Sequence, residues 1–205
     1  MAFLKVAIST LSHLRQTVNA RYGGGMRGYA NFFYFSLLRI NTFIIFIHGH
    51  DGELSCLPRS DQLEFVRNDH ERLDELRRSR ELPREFHCAQ AHDACDFVLG
   101  SWEGEAAYIH WIFHENGRTR FLNLGRGCAE VGSIVTLPEF RGRRICSHAL
   151  AYTVQTLYAE GVQRIYCVVH DDNIASIKAV ERVGFRQFRK ARAIGPFNKR
   201  HDVVA

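Results

Sequence analysis

Three arginines and a glycine stand where an extended segment gives way to a helical pattern. The segment Val135–Cys146 ends a strand pattern, continues through Arg141, Gly142, Arg143 and Arg144, and then opens a helix. The first turn of a helix has unpaired N–H groups and the positive end of the helix dipole, so phosphates bind there readily. We expect this loop to bind a diphosphate-bearing cofactor. The alternative is that the basic cluster is a solvated surface.

A cysteine follows this loop in the first turn of the expected helix. A helix N-terminus lowers the pKa of a thiol, so Cys146 is a candidate nucleophile. The alternative is a thiol that only packs in the core. The chain has six cysteines and no CxxC pair, which excludes a zinc knuckle and a small disulfide scaffold. Scattered thiols are typical of a reducing cytosol, so we expect a cytoplasmic protein.

Hydrophobic periodicity predicts the elements that must position this loop. A nearly continuous apolar run such as Val162–His170 is typical of a buried parallel strand, so we expect a mixed α/β sheet. Helices are expected over 3–20, 28–38, 69–80, 83–93, Gly142–Glu160 and Asn173–Val183. Strands are expected over Phe43–His48, Leu63–Arg67, Cys95–Trp102, Ala106–His114, Phe121–Leu124, Cys128–Leu137, Val162–His170 and from Phe185 onward.

The loop resembles the signature of the GNAT superfamily of acyl-CoA-dependent N-acyltransferases. That signature is Q/R-x-x-G-x-G/A, with a proline three residues before the Q/R, and Pro138 and Arg141 fit this spacing. Two positions depart from it: Arg144 stands where the family has Gly, and Cys146 where it has Gly or Ala. We expect Arg144 to adopt helical torsion angles, so that its amide can still donate to a phosphate.

A second segment, Asn173–Phe185, resembles the family's N-x-x-A-x-x-[FL]-Y-x-x-x-G-F motif. Asn173 and Gly184-Phe185 match, and Ser176 replaces the small Ala. The family's Asn contacts the pantetheine arm or shapes the turn, and the same residue can cap the following helix. Val180 stands where the family often has a Tyr that protonates the leaving thiolate, so another donor or water must do so here.

The resemblance implies a fold and a reaction. The fold is a mostly antiparallel, twisted sheet with one parallel, splayed strand pair, flanked by helices. It would occupy residues 41–205, after a basic helical extension over residues 1–40. The reaction is direct transfer of an acetyl group from acetyl-CoA to an amine, without a metal. The acceptor would be a small-molecule or peptide amine, with an amino sugar slightly favoured. The alternative is a catalytically degenerate module that binds acyl-CoA or a partner.

The resemblance also implies which residues contact the cofactor. Backbone N–H groups near Ile134, Val135 and Thr136 would hold the thioester carbonyl. The remaining contacts would come from the loop, the start of its helix and the second motif. They are Arg141, Gly142, Arg143, Arg144, Ile145, Cys146, Ser147, Asn173 and Ser176.

Glu130 is the first candidate for the general base. It lies eleven residues before Arg141 in a small or apolar strand, the spacing of a catalytic Glu in the family's histone-type branch. We expect partial burial to raise its pKa; the alternative is a Glu that faces solvent or pairs with an Arg. His170 is the second candidate. His110, His114 and His148 are weaker candidates, and a metal site at His170-Asp171-Asp172 is weaker still.

The charge of the chain is concentrated at its N-terminus. Of 27 basic and 22 acidic side chains, residues 1–50 hold five basic and no acidic ones, so the remaining 155 residues carry 22 of each. A basic, amphipathic segment can lie on a membrane surface through residues 1–40, or it can pack on the domain as an ordinary helix. The neutral body lacks an aromatic–basic motif, which argues against nucleic acid. The apolar stretch Phe33–Ile47 contains Arg39 and is too short to span a bilayer, so no transmembrane helix is expected.

Overall fold

The structure, a computed structural model, describes residues 18, 23–34, 40–49, 57, 60–90, 95–117, 119–194 and 202–204. The helix predicted over residues 3–20 lies outside these ranges apart from Val18. The chain divides into two compact units. One comprises residues 1–42 and 192–199, and the other comprises residues 43–191 and 200–205.

The first unit contains helix α1, Gly25–Phe33. Gly23 and Gly24, just before the helix, have φ angles of +79° and +69°, a region that glycine enters without the steric cost of a Cβ. The helix predicted over residues 28–38 therefore begins earlier than expected. Residues 35–39 lie outside the described part of the chain.

The second unit is built on a mixed sheet, which confirms the predicted fold class. Seven strands follow the order β2-β3-β4-β6-β7-β1-β8, and β5 and β9 form a separate parallel pair. Each predicted strand is present, with ends shifted by a few residues. The strands are β1 (Ile40–Gly49), β2 (Leu63–Arg67), β3 (Cys95–Trp102), β4 (Glu105–Phe113), β5 (Leu122–Leu124), β6 (Cys128–Thr136), β7 (Arg164–His170), β8 (Arg186–Ile194) and β9 (Asp202–Val204).

The pair β6–β7 is the parallel pair of the seven-stranded sheet, and it is short. Its register runs from Cys128 opposite Arg164 to Val131 opposite Cys167. Beyond that point β6 continues to Thr136 and β7 continues to His170 without pairing to each other. The two strands therefore splay apart toward their carboxyl ends, as predicted.

Strand β1 lies on the other side of β7 and pairs with it through the splayed region. It pairs antiparallel with β7 from Phe43 opposite His170 to Gly49 opposite Arg164. The sequence predicts this strand but not its neighbours, because the pairing joins segments more than a hundred residues apart. The last residues of β7 therefore have a ladder on one edge only.

Helices cover both faces of the sheet. They are α2 (His70–Ser79), α3 (Ile145–Ala159) and α4 (Ile174–Val183), with 3₁₀ helices at Arg84–Gln90 and Pro138–Phe140. Residues predicted to begin a helix at Pro83 thus form a 3₁₀ helix. One core cluster includes Ile112 together with Leu150, and a second includes the neighbouring Trp111. Since successive strand residues point to opposite faces, the two clusters lie on opposite faces at this point of β4.

Helix α3 begins three residues later than predicted, because Gly142 and Arg144 have φ angles of +82° and +60°. Its residues Leu150, Val154 and Leu157 are fully buried. Among the described residues, none of the helices combines the length and apolarity needed to cross a bilayer.

Candidate functional site

The splay leaves one edge of β6 open. Residues Gly132–Thr136 are half-buried, and they lie beyond the last pair with β7. The N–H of Leu137 donates to the carbonyl of Ala107 in β4, at 2.9 Å. Alternate residues of a strand point to the same neighbour. The N–H of Val135 therefore also faces β4, while those of Ile134 and Thr136 face the opening.

Strand β6 contains a β-bulge at this opening. Opposite β4, the register moves from Ile109–Val135 to Trp111–Gly132, so β6 contains one extra residue. That residue is next to Ser133, whose φ of +49° is rare for a non-glycine residue. Bulges bend a strand and redirect its peptide groups. The sequence signal for it was the pair of small residues Gly132-Ser133 inside a strand pattern.

The loop from Arg141 to Arg144 leads directly from this opening into α3. Arg141 and Gly142 are exposed, and a side chain on Gly142 would meet no atom within 4 Å. The helix has no side-chain cap at its N-terminus. The N–H of His148 makes the first helical bond, to the carbonyl of Arg144, at 3.2 Å. The earlier N–H groups of the first turn are therefore directed out of the helix.

Arg144 does not adopt the right-handed helical angles expected from the sequence. It is the N-cap of α3 with φ +60° and ψ +16°, the left-handed region. A side chain costs roughly 1–2 kcal/mol there. The left-handed conformation thus explains the glycine that the resemblance implies at this position. Arg144 adopts the same conformation under strain.

The arginine side chains take different directions. Arg141 donates from Nε to the carbonyl of Thr136 at 3.3 Å, on the open side of β6. The guanidinium of Arg143 lies over the ring of Trp102, 4.8 Å from its centroid, and near Phe140. Arg141 is therefore the arginine that lies closest to the opening, while Arg143 stacks on aromatic residues beside it.

Cys146 does not have the properties of a nucleophile. Burial raises the pKa of its thiol to about 11, only partly offset by the hydroxyl of Tyr108, 3.9 Å from the sulfur. The thiol is protonated at neutral pH. The expectation that the helix N-terminus would lower this pKa is wrong, because burial has the larger effect.

The neighbours of Cys146 contribute backbone rather than side chains to the opening. Ile145 is buried in the core. Ser147 is also buried, and its hydroxyl donates to the carbonyl of Ala179 in α4 at 3.3 Å. Asn173 caps α4 through a bond from the N–H of Ser176 at 3.2 Å, so the capping role is the one observed.

Glu130 is a buried carboxylate beside the opening. It is 7% exposed, and burial raises its pKa to about 7. The hydroxyl of Thr119 donates to its Oε2. Its Oε1 lies 3.6 Å from the position of a Cβ on Gly132, the first residue of the splayed part of β6. The carboxylate therefore neither faces solvent nor depends on an arginine, and it titrates near neutrality.

His170 lies at the end of β7 with acidic neighbours. Its Nδ1 is 2.6 Å from a carboxylate oxygen of Asp172 and 3.3 Å from one of Asp171. Its ring also meets the ring of Phe43 edge-on, at 4.9 Å. Within the described residues no cluster of three or more metal-ligating side chains is found.

The other histidines have structural partners. His110 is fully buried, and burial lowers its pKa to about 3. Its two ring nitrogens each lie 3.0 Å from a hydroxyl, those of Tyr108 and Thr153. His114 contacts the carboxylate of Asp96 at 2.8 Å. The buried network around His110 was missed because it joins β4 to α3, and these two elements are far apart in sequence.

A second group beside Glu130 was also missed. Thr119 bonds to Glu130, and the guanidinium of the adjacent Arg120 lies over the rings of Phe43 and Phe121, at 4.7 and 5.0 Å. Phe43 in turn contacts His170. These contacts link the neighbourhoods of the two candidate bases through aromatic rings and one cation.

The arrangement fits an acyl-CoA. An uncapped helix N-terminus with exposed arginines suits a diphosphate. An open strand edge with two outward N–H groups suits a thioester and its amide-containing arm. Val180, by contrast, is 1% exposed in the core and offers no proton.

Comparisons with known proteins agree with this geometry. A protein-family model, described as the "Acetyltransferase (GNAT) family", matches residues 63–185, more than half of the chain. The chain matches no curated protein.

Solved structures share the fold at low identity. A GNAT-family protein from Novosphingobium aromaticivorans is 18% identical, with a TM-score of 0.54 over 76% of this chain and 64% of that one. A GCN5-related N-acetyltransferase from Sphaerobacter thermophilus is 13% identical, with a TM-score of 0.53 over 82% and 55%. The glucosamine N-acetyltransferase region of a fungal multi-domain GH3 β-N-acetylglucosaminidase is 18% identical, with a TM-score of 0.58 over 75% and 21%. The chain thus covers less than two thirds of each of these proteins.

The strain at Arg144 predicts that Arg144→Gly stabilises the protein. Removing the Cβ from the left-handed conformation should raise the free energy of unfolding by about 1 kcal/mol, measured by urea denaturation. Gly142→Ala is the matched control. It adds a Cβ in open space at positive φ and should lower the same quantity by about 1 kcal/mol. A loss of stability in Arg144→Gly would contradict the account.

The buried carboxylate predicts a pH-dependent stability difference. The pKa of Glu130 is about 7 when folded, above its ordinary 4.5, so the folded state favours the protonated form. The contribution of protonated Glu130 to the free energy of unfolding is complete below pH 4.5 and is lost as the pH rises through 7. The free energy of unfolding of Glu130→Gln, relative to that of wild type, should therefore rise by about 3 kcal/mol from pH 4 to pH 8.5. The exposed Glu181→Gln should show no such trend, and a flat difference for Glu130→Gln would refute the burial argument.

Proposed function

Because the chain belongs to the GNAT family of acetyltransferases, we propose that it transfers an acetyl group from acetyl-CoA to the amino group of a small molecule. The observation that carries the proposal is the coincidence of three features at one end of the β6–β7 pair. These are the open strand edge, the uncapped start of α3 and the buried Glu130. We propose a cytoplasmic location for this activity.

The diphosphate of the cofactor is assigned to the loop before α3. The outward N–H groups of the first helical turn donate to the phosphate oxygens, and Arg141 supplies the nearest mobile positive charge. Arg143 contributes through its stacked position on Trp102. Side chains of Ile145 and Ser147 are buried, so these two residues act through their backbone alone.

The reacting group is assigned to the open edge of β6. Acetyl-CoA, when bound, supplies an acetyl thioester whose sulfur leaves as a thiolate. The N–H groups of Ile134 and Thr136 polarise the thioester carbonyl, since both face the opening. The N–H of Val135 faces β4, so Val135 does not bind the thioester carbonyl and only continues the strand.

Glu130 is assigned as the general base. A pKa near 7 suits a group that must be ionised at neutral pH and still take a proton from an ammonium ion. Thr119 holds the carboxylate beside Gly132, at the edge of the opening. His170 is the second candidate, and its carboxylate neighbours Asp171 and Asp172 position its ring.

The acceptor is proposed to be an amino sugar or another small-molecule amine. The printed name of one structural neighbour, a glucosamine N-acetyltransferase region, supports including glucosamine among the first acceptors tried. The half-buried ring of Phe43, with the guanidinium of Arg120 over it, offers an apolar and a polar group in the neighbourhood of Glu130. No metal is assigned to the reaction.

A second candidate function is a module that binds acyl-CoA without turnover. The observation in its favour is Val180, which is a core residue where the family often has the proton donor. The thiolate must then take its proton from another donor or from water. Binding of acetyl-CoA with no thiol release from any amine class would favour this candidate.

Steady-state kinetics test the proposed reaction. Thiol release from acetyl-CoA is followed with a panel of glucosamine, amino acids, polyamines and peptide N-termini. With the best acceptor, kcat/KM should rise with pH through an apparent pKa of about 7. Glu130→Gln should lower kcat/KM by roughly 10²–10⁴-fold.

Two variants serve as controls for this experiment. Glu181→Gln removes an exposed carboxylate and should keep full activity with the same pH profile. His170→Gln tests the second base. Full activity of Glu130→Gln, combined with loss in His170→Gln, would transfer the role of base to His170.

A further inference from the structure

Helix α1 turns an apolar surface outward. Met26 is 91% exposed, Phe33 is 50% exposed and Tyr34, just after the helix, is 53% exposed. Ala30 is exposed as well. In an ordinary surface helix large apolar residues face the core. In α1, Phe32 is half-buried, whereas Met26 and Phe33 are exposed.

The exposed residues share one side of the helix. Met26, Ala30 and Phe33 follow one another at i, i+4 and i+7, the spacing of a single helix face. Gly28, which points to the other side, is buried. Met26, Ala30 and Phe33 thus present an apolar face to solvent, next to the exposed polar residues Arg27 and Asn31. We call Met26, Ala30, Phe33 and Tyr34 the α1 face.

The sequence segment that contains α1 carries charged side chains of one sign. Residues 1–42 contain Lys5, Arg15, Arg21, Arg27 and Arg39 and no Asp or Glu. Arg27 is exposed and adjoins Met26. The rest of the chain is balanced in charge, so the excess positive charge of the protein belongs to the segment that carries the α1 face.

We propose that the α1 face docks on an anionic lipid bilayer, with α1 lying in the plane of the interface. A bilayer surface offers a negative layer for the arginines and an apolar layer for Met26 and Phe33 at the same time. Nucleic acid would satisfy the charge and leave the apolar face in water. A second copy would cover the apolar face and bring two positive segments together. The docking is independent of the acetyl transfer proposed above.

Vesicle flotation with the full chain tests this docking. Vesicles of phosphatidylcholine alone are compared with vesicles containing about one quarter phosphatidylglycerol. The bound fraction should rise with the anionic lipid and fall as NaCl increases from about 0.1 M to about 0.5 M. Met26→Asp combined with Phe33→Asp should reduce the partition coefficient at least tenfold, and Arg27→Glu should reduce it by a smaller factor.

A matched control separates this face from exposed apolar residues in general. Phe188 lies in β8 and is 44% exposed, so Phe188→Asp removes a similar apolar area elsewhere and should leave vesicle binding unchanged. Circular dichroism of each variant checks that the fold is retained. Vesicle binding by Met26→Asp/Phe33→Asp at the wild-type level would overturn the proposal, as would no binding of wild type to anionic vesicles.

The other occupants of the face are outcomes of the same series. Sedimentation velocity without lipid reports the oligomeric state of wild type and of Met26→Asp/Phe33→Asp. A wild-type dimer that this double variant dissociates, together with no vesicle binding, would assign the face to a second copy and overturn the lipid proposal. A monomer that binds anionic vesicles supports it.

Discussion

The short register of the β6–β7 pair is the constraint on which the site depends. Pairing stops at Val131 and Cys167, and β6 continues for five more residues with a free edge toward β7. Backbone N–H and C=O groups require partners, from solvent or from a ligand. Strand β1 pairs with the far edge of β7 throughout this region, so the ladder of β7 continues there on the side away from β6. The fold thus keeps two backbone donors of β6 available where a third element, α3, starts.

Two further features of the site lie beside this opening. The start of α3 is uncapped, and the left-handed Arg144 turns the chain so that the helix begins beside the end of β6. Glu130 lies one residue before the last β6–β7 pair, where the sheet is still closed and the carboxylate is buried. Burial raises its pKa, and its Oε1 lies 3.6 Å from the position of a Cβ on Gly132, the first residue beyond the paired part of β6. A buried carboxylate with a pKa of about 7 and the uncapped start of a helix are consequently held at one end of one strand pair.

The sequence predicts the strands, the order of the helices and the buried Glu130, because each depends on local periodicity or on the polarity of one position. It does not predict the strain at Arg144, since the left-handed conformation of a non-glycine residue is imposed by its surroundings. The bond from Thr119 to Glu130 and the pairing of β1 with β7 join distant segments, so they have no local signal. Cys146 shows a competition between two effects. The helix terminus is visible in the sequence, whereas the burial that raises the pKa of its thiol is a property of the packed core.

Calorimetric titration with acetyl-CoA tests the central claim, that the splayed strand edge and the start of α3 form a cofactor site. The account predicts saturable binding by the wild-type protein. Arg141→Glu, which replaces the nearest cation by a carboxylate, should weaken it about tenfold or more. Arg126→Glu, a charge reversal at an exposed arginine before the start of β6, should change the affinity little. Absence of binding at millimolar acetyl-CoA, or equal affinity of the wild type and Arg141→Glu, would contradict the account.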